Sequence, residues 1–407
     1  MVHILLIGGG VGAGSAAKAL RNEGFDGDVT VITDEAHPPY QRPPLSKGYL
    51  AGSEGADKVI LRPREWYADH GMDLRTSTRV VELDPAAHEV ELDDGSRLHY
   101  DSVLLATGAS PRSLPLEGAD LPGVRTLRRL DDSDMLATQL QGGGKRLVVI
   151  GSGWIGMEVG ATARGLGNEV TVLERDPVPL GLAVGAEMGE VFRALHVENG
   201  VDLRTSVSVE RITGSGRAEA VVVDGESVPA DLVLIGVGAA PNTELAEKAG
   251  LRIDNGVLTD SALRTGAPDV YAAGDVANAY HPVIQRHLRS EHWANALHAG
   301  PVAARSMLGQ RASFSEIPYF YADQFDLGME LSGYAPLMAD AHLIVRGDLE
   351  AREFVAFWVD SGRVVGGMNV NVWDVNEAVQ ALIRSGQSVA ADDLRDPSVP
   401  LESLLGA

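Results

Sequence analysis

Two glycine clusters in this 407-residue chain have the spacing that holds phosphates. The first is Gly8-Gly9-Gly10-Val11-Gly12-Ala13-Gly14, in which Gly8, Gly10 and Ala13 match a G-x-G-x-x-G/A pattern, while Gly12 and Gly14 permit a shifted register. The second, Gly151-Ser152-Gly153-Trp154-Ile155-Gly156, matches it with glycine in all three places. In this pattern the first glycine makes a tight turn and the second lets the backbone approach a pyrophosphate; the third place needs a small residue for helix–strand packing. An acid about 20 residues further on accepts hydrogen bonds from a ribose. Asp34 and Glu174 fill that place. A carboxylate there accepts from a 2′-hydroxyl but repels a 2′-phosphate, so Glu174 favours NADH over NADPH, although Arg175 beside it offers a phosphate a partial partner. One bare match is often only a glycine-rich turn; two complete units are a much stronger signal.

Each cluster must sit between a strand and a helix, and the flanking residues supply both. An apolar strand over 2–7, a small-residue helix to 21 and a strand over 29–33 make one βαβ unit; 146–150, a helix to about 166 and 169–173 make another. The apolar segments 103–109 and 232–238 each run into a proline-containing stretch, which marks them as crossings between domains. The expected fold is α/β. It has two Rossmann-like dinucleotide-binding domains, the first discontinuous (1–111 and 243–317) with the second inserted in it (112–242), then a C-terminal α+β domain (318–407).

Bulk composition excludes several classes. With 34 basic and 57 acidic residues the formal charge is -23, which opposes general attraction to nucleic acid or anionic lipid. No apolar run approaches the roughly 20 residues of a membrane span. The opening MVHILLIGGG lacks a basic leader and breaks into glycines within a strand length, so it reads as a strand of a cytoplasmic protein and not as a signal peptide. The chain has no cysteine, which removes thiol nucleophiles, Cys-ligated clusters and redox disulfides. His281, His287, His292 and His298 are close in sequence but match no metal-ligand spacing.

With Ala106-Thr107-Gly108, Gly236-Val237-Gly238 and Ala272-Ala273-Gly274-Asp275 added, the chain resembles the FAD- and NAD(P)-dependent pyridine nucleotide oxidoreductases over essentially its whole length. The segment Pro39-Tyr40-Gln41-Arg42-Pro43-Pro44-Leu45-Ser46-Lys47 is similar to the signature of NADH-dependent ferredoxin reductases that feed bacterial oxygenases. The tail segment 318–327 is similar to that group's PYFWSDQYDL, with Tyr321 where Trp is usual. The missing cysteines set aside the thiol-dependent branches. The resemblance then implies FAD and NADH as cofactors, a small iron–sulfur ferredoxin as partner and a mono- or dioxygenase beyond it. A rubredoxin reductase or diaphorase is the alternative within enzymes, and a nicotinamide-sensing flavoprotein of the apoptosis-inducing-factor-like type outside them.

The resemblance also implies roles for single residues. Lys47 and Glu158, which by type alone would be an ordinary exposed pair of little energetic weight, become a pair near flavin N5 and the nicotinamide with an electrostatic role in hydride transfer. Gly8, Gly10, Gly12, Ala13, Asp34, Arg42, Lys47, Val80, Arg128, Asp275 and Trp293 are implied on the FAD side. Of these, Asp275 also reads as a helix cap and Trp293 as ordinary core. Gly151, Gly153, Ile155, Gly156, Glu158, Glu174 and Gly238 are implied on the NAD side. Arg286 and Arg289 form a local basic patch expected to dock an acidic ferredoxin.

Overall fold

Strands buried on both faces read as unbroken apolar runs, and His3–Ile7 is one. It lies at the centre of a five-stranded parallel sheet, between Asp28–Ile32 and Ser102–Leu105, with Met72–Arg75 and Val270–Ala272 at the edges. The helices Val11–Asn22 and Trp293–Met307 contribute alanines to the core on one face. A three-stranded antiparallel sheet, Val80–Asp84, Glu89–Leu92 and Arg97–His99, contributes to the core on the other. The computed structural model describes residues 1–405.

A second parallel sheet repeats the plan, in the order Asp202–Arg204, Glu169–Leu173, Arg146–Ile150, Leu232–Ile235 and Val124–Arg125. It shares a core with an antiparallel sheet of Val209–Thr213, Ala220–Val223 and Glu226–Pro229. The tail forms a five-stranded antiparallel sheet in the order Tyr319–Gln324, Leu327–Gly333, Arg363–Val370, Glu353–Asp360 and His342–Asp348. Helix Asn376–Ser385 buries Ala378, Val379 and Leu382 against it.

Backbone contacts gather the chain into two compact units: Met1–Pro43, Gly55–Ser110 and Ala239–Glu316 in one, and Pro44–Glu54, Pro111–Gly238 and Ile317 onward in the other. The segment Pro44–Glu54 therefore departs from the expected division, which placed it in the FAD domain. Side chains of the second unit hold its carbonyls: Ser133 Oγ donates to Leu45 (2.8 Å), Thr162 Oγ1 to Ser46 (2.7 Å) and Gln141 Nε2 to Leu50 (3.1 Å). Among the described residues no helix is long and apolar enough to cross a membrane.

Candidate active site

In the first unit the strand His3–Ile7 ends at Gly8, where φ is +145° and a Cβ would lie 2.1 Å from the Ala106 carbonyl oxygen, so only glycine makes this turn. Gly10 is the N-cap of helix Val11–Asn22 and no side chain caps that end. Gly12 and Ala13 are buried in the first turn. The leading amides of such a helix suit a phosphate. Asp34 stands exposed just past the strand Asp28–Ile32. Its neighbour Glu35, which sequence reasoning passed over, is buried and accepts hydrogen bonds from the Tyr40 hydroxyl (2.5 Å) and Arg42 (3.0 Å). Arg42 also lies 4.9 Å from the centre of the Tyr40 ring. Val80 opens the strand Val80–Asp84 and packs on the core beneath it.

Asp275 is buried within a single 3-10 turn, Gly274–Val276, and so is not the cap of a longer helix. Trp293 is the first residue of helix Trp293–Met307, half-buried, with no side-chain cap at His292. The expected basic patch of Arg286 and Arg289 does not form at the surface. Arg289 is only 10% exposed, and its guanidinium donates to Glu291 (2.6 Å) and to the Asp275 carbonyl (3.2 Å), so it is turned inward. Arg286 alone of the two is exposed. His281 is buried; Nδ1 accepts the Ile284 N–H and Nε2 meets the Glu316 carbonyl, which makes it a brace for the hairpin.

In the second unit Gly151 has φ +101° and a Cβ there would come within 2.5 Å of the Gly236 carbonyl oxygen. Gly153 is the N-cap of helix Trp154–Gly165, again without a capping side chain; Ile155 is exposed in its first turn and Gly156 buried. Glu174 follows the strand Glu169–Leu173 and is folded back onto the turn. Its Oε2 accepts the Ser152 N–H (2.8 Å) and hydroxyl (2.6 Å), and its Oε1 accepts the Asp176 N–H (2.8 Å). A carboxylate oxygen takes about two hydrogen bonds, so Oε1 retains capacity for a ribose hydroxyl. Arg175 points to solvent beside Asp176, 3.4 Å away. Gly238, at φ +97°, presents its carbonyl to the Arg112 N–H. Arg128 is partly buried just before helix Leu130–Leu140, its N–H held by Asp132 at 3.0 Å.

The same unit contains the ion pair. Lys47 lies between the 3-10 turn Pro43–Ser46 and the short helix Gly48–Ala51, and its Nζ is 2.7 Å from Glu158 Oε1. The side chains are 17% and 3% exposed, so this is not the surface pair that residue type alone suggested. Ser46 Oγ donates to the other oxygen, Oε2, at 2.5 Å. The Tyr321 ring centre is 5.6 Å from Nζ, within cation–π range. Burial pushes the Glu158 carboxyl above its ordinary value; the charge and hydrogen bond of Lys47 and the Ser46 hydroxyl oppose that, and Asp323 adds to it. Ser46 and Tyr321 stood in the quoted motifs, but nothing in the sequence tied them to Glu158.

Residues 2–300 match the family model for pyridine nucleotide-disulphide oxidoreductases, and 319–405 match a reductase C-terminal model. The chain belongs to the pyridine nucleotide-disulphide oxidoreductase family. Rhodocoxin reductase of Rhodococcus erythropolis is 35% identical over 98% of this chain and 94% of its own. The ferredoxin–NAD(+) reductase component of the biphenyl dioxygenase system of Paraburkholderia xenovorans (strain LB400) is 36% identical over 99% and 98%. The reductase in a covalent putidaredoxin reductase–putidaredoxin complex superposes with a TM-score of 0.95 at 33% identity, covering 99% of this chain and 98% of that one. FAD and a nicotinamide dinucleotide are the family's cofactors, and the residues present fit them: each glycine turn leads into a helix with no capping side chain, and an acid follows each second strand. Within the pyridine nucleotide-disulphide oxidoreductases this is a member without any cysteine.

Proposed function

We propose that this chain is an FAD-dependent NADH:ferredoxin reductase, taking a hydride from NADH and passing single electrons to a small iron–sulfur ferredoxin that serves a bacterial mono- or dioxygenase. The observation that carries the reading is the buried Lys47–Glu158 pair, anchored by Ser46, in a family member with no thiol. The named activities of the relatives support the acceptor.

Bound FAD supplies the chemistry that accepts two electrons together and releases them singly. The chain's residues supply orientation and charge. Lys47 holds a fixed cation at the reacting end of the cofactors, an arrangement set before reaction and so costing no reorganisation during it. Glu158 and the Tyr321 ring keep that ammonium in place. Gly8, Gly10, Gly12, Ala13 and Asp34 take the FAD pyrophosphate and ribose, with Arg42, Val80, Arg128, Asp275 and Trp293 as further FAD contacts. Gly151, Gly153, Ile155, Gly156, Glu174 and Gly238 take NADH. Exposed Arg286 steers the ferredoxin. The protein works in the cytoplasm, where NADH is supplied.

Stopped-flow mixing of the holoenzyme with NADH, followed by a panel of purified ferredoxins, tests the reading. Rapid bleaching of the flavin and rapid recovery of its colour with at least one ferredoxin are expected. A reduced, coloured complex that persists with every ferredoxin would reject the acceptor and favour a nicotinamide sensor.

A further inference from the structure

Trp373 is the one exposed tryptophan among the described residues, with 54% of its surface in water. It sits in the loop after strand Arg363–Val370, and the loop is held firmly. The Asn371 N–H donates to the Gly328 carbonyl (2.9 Å), the Gly328 N–H donates back to Asn371 Oδ1 (2.9 Å), and Asn369 Nδ2 donates to the Val372 carbonyl (2.7 Å). Asn371 and Asp374, on either side of Val372 and Trp373, have φ of +51° and +63°. Non-glycine residues take that conformation at a cost, and surrounding contacts must hold them there. The indole rests against Gly328, where a Cβ would fall 2.7 Å from its Cη2. Several contacts thus fix a large aromatic ring in water, where it gains little from burial.

Its location is informative. Gly328 pairs with Asp323 across the hairpin of strands Tyr319–Gln324 and Leu327–Gly333. Asp323 shares a strand face with Tyr321, two residues away, and Tyr321 faces Lys47. The charge of Asp323 is felt at Glu158. A continuous run therefore leads from the ion pair through Tyr321 and Asp323 to Trp373, all within the second compact unit.

We infer that Trp373 is the apolar anchor of the docking surface for the iron–sulfur electron acceptor, and this rests on the reading that Lys47 and Glu158 mark the flavin. A single-electron acceptor must approach the reduced cofactor closely, whereas a partner bound elsewhere gains nothing from this ring. Rigid aromatic anchors at the centre of an interface carry most of its energy. Asp323, whose Oδ1 lies 3.3 Å from where a Cβ on Gly328 would stand, and Asp374, next to Trp373 in sequence, are both exposed, so the patch of ferredoxin that covers the ring is apolar and free of acidic side chains, and the acidic groups that Arg286 attracts lie outside this contact.

The test uses holoenzyme with Trp373→Ala and Trp373→Phe, and as probe whichever [2Fe–2S] ferredoxin of a purified panel the wild type reduces fastest. The Ala variant should raise the ferredoxin KM by about thirtyfold, the scale of an interface hot spot. The Phe variant should recover most of that, with flavin content and NADH:ferricyanide turnover unchanged in both. A ferredoxin KM within about twofold of wild type overturns the inference alone, as does a parallel fall in ferricyanide turnover, or a wild-type dimer that Trp373→Ala dissociates. Failure of the wild type to reduce any ferredoxin overturns the acceptor reading and the inference together.

Discussion

Replacing Lys47 by Met leaves Glu158, 3% exposed, without its cation. Removing one member of a buried pair typically costs about 3–5 kcal/mol. The carboxylate has one escape, which is to bind a proton. Burial already holds its pKa above the ordinary value, and loss of the Lys47 charge and hydrogen bond removes what opposed that shift, so it moves higher still. A group whose folded-state pKa is raised binds protons that the unfolded chain does not, so stability falls as pH rises toward that raised value. The ceiling on the cost is about 1.4 kcal/mol per pH unit above the ~4.3 of an unfolded Glu: about 4 kcal/mol at pH 7.5 and about 2 at pH 6. The deficit of Lys47→Met against wild type should therefore shrink by up to about 2 kcal/mol between pH 7.5 and 6. Adding Glu158→Gln should recover most of it, because the amide needs no counter-charge. Urea unfolding followed by tryptophan fluorescence at both pH values measures this, with NADH-driven flavin reduction slowed in both variants. A deficit that is the same at both pH values, or a double variant no better than the single one, would refute the reasoning.

Two further perturbations test other parts of the chain. His196 is fully buried with Nε2 on Gln324 (2.8 Å), and burial lowers its pKa from 6.5 to about 4. Its contribution is complete above the unfolded value and lost as pH falls, so wild type should lose about 2 kcal/mol between pH 7 and 5 through this group; urea melts of His196→Gln should show a correspondingly flatter dependence. Glu174→Ala removes the acceptor for Ser152 and, on the proposed function, an acceptor for the ribose hydroxyl together with a charge that repels a 2′-phosphate. Steady-state kinetics should show the NADH KM up by about tenfold or more and the NADH/NADPH ratio of kcat/KM reduced; an unchanged ratio would remove Glu174 from coenzyme selection.

The parallel cores were legible because apolar runs bounded by glycines leave little choice. The strands expected at 146–150 and 169–173 coincide with Arg146–Ile150 and Glu169–Leu173. The antiparallel sheet built from Val80–Asp84, Glu89–Leu92 and Arg97–His99 was not foreseen, since short amphipathic strands rich in charge resemble loops. Lys47 and Glu158 could be named from their motifs, but their burial could not, because it depends on contacts between residues 111 positions apart in sequence. Arg289 shows the reverse error: charge is visible in sequence, whereas the inward turn toward Glu291 and Asp275 is not. Glu35 was missed for the same reason, as its partners Tyr40 and Arg42 lie in a proline-rich loop whose path only the fold fixes.

The attachment of Pro44–Glu54 to the second unit sets a rule for recombination within this family. A chimaera that exchanges the contiguous stretch 111–238 to alter coenzyme preference would bring in a new Glu158 equivalent while leaving the native Lys47 behind. It would also separate Leu45, Ser46 and Leu50 from the side chains at 133, 162 and 141 that hold them. The exchangeable cassette is therefore two pieces of chain, and library crossovers placed only at the obvious domain borders should yield folded proteins with impaired hydride transfer.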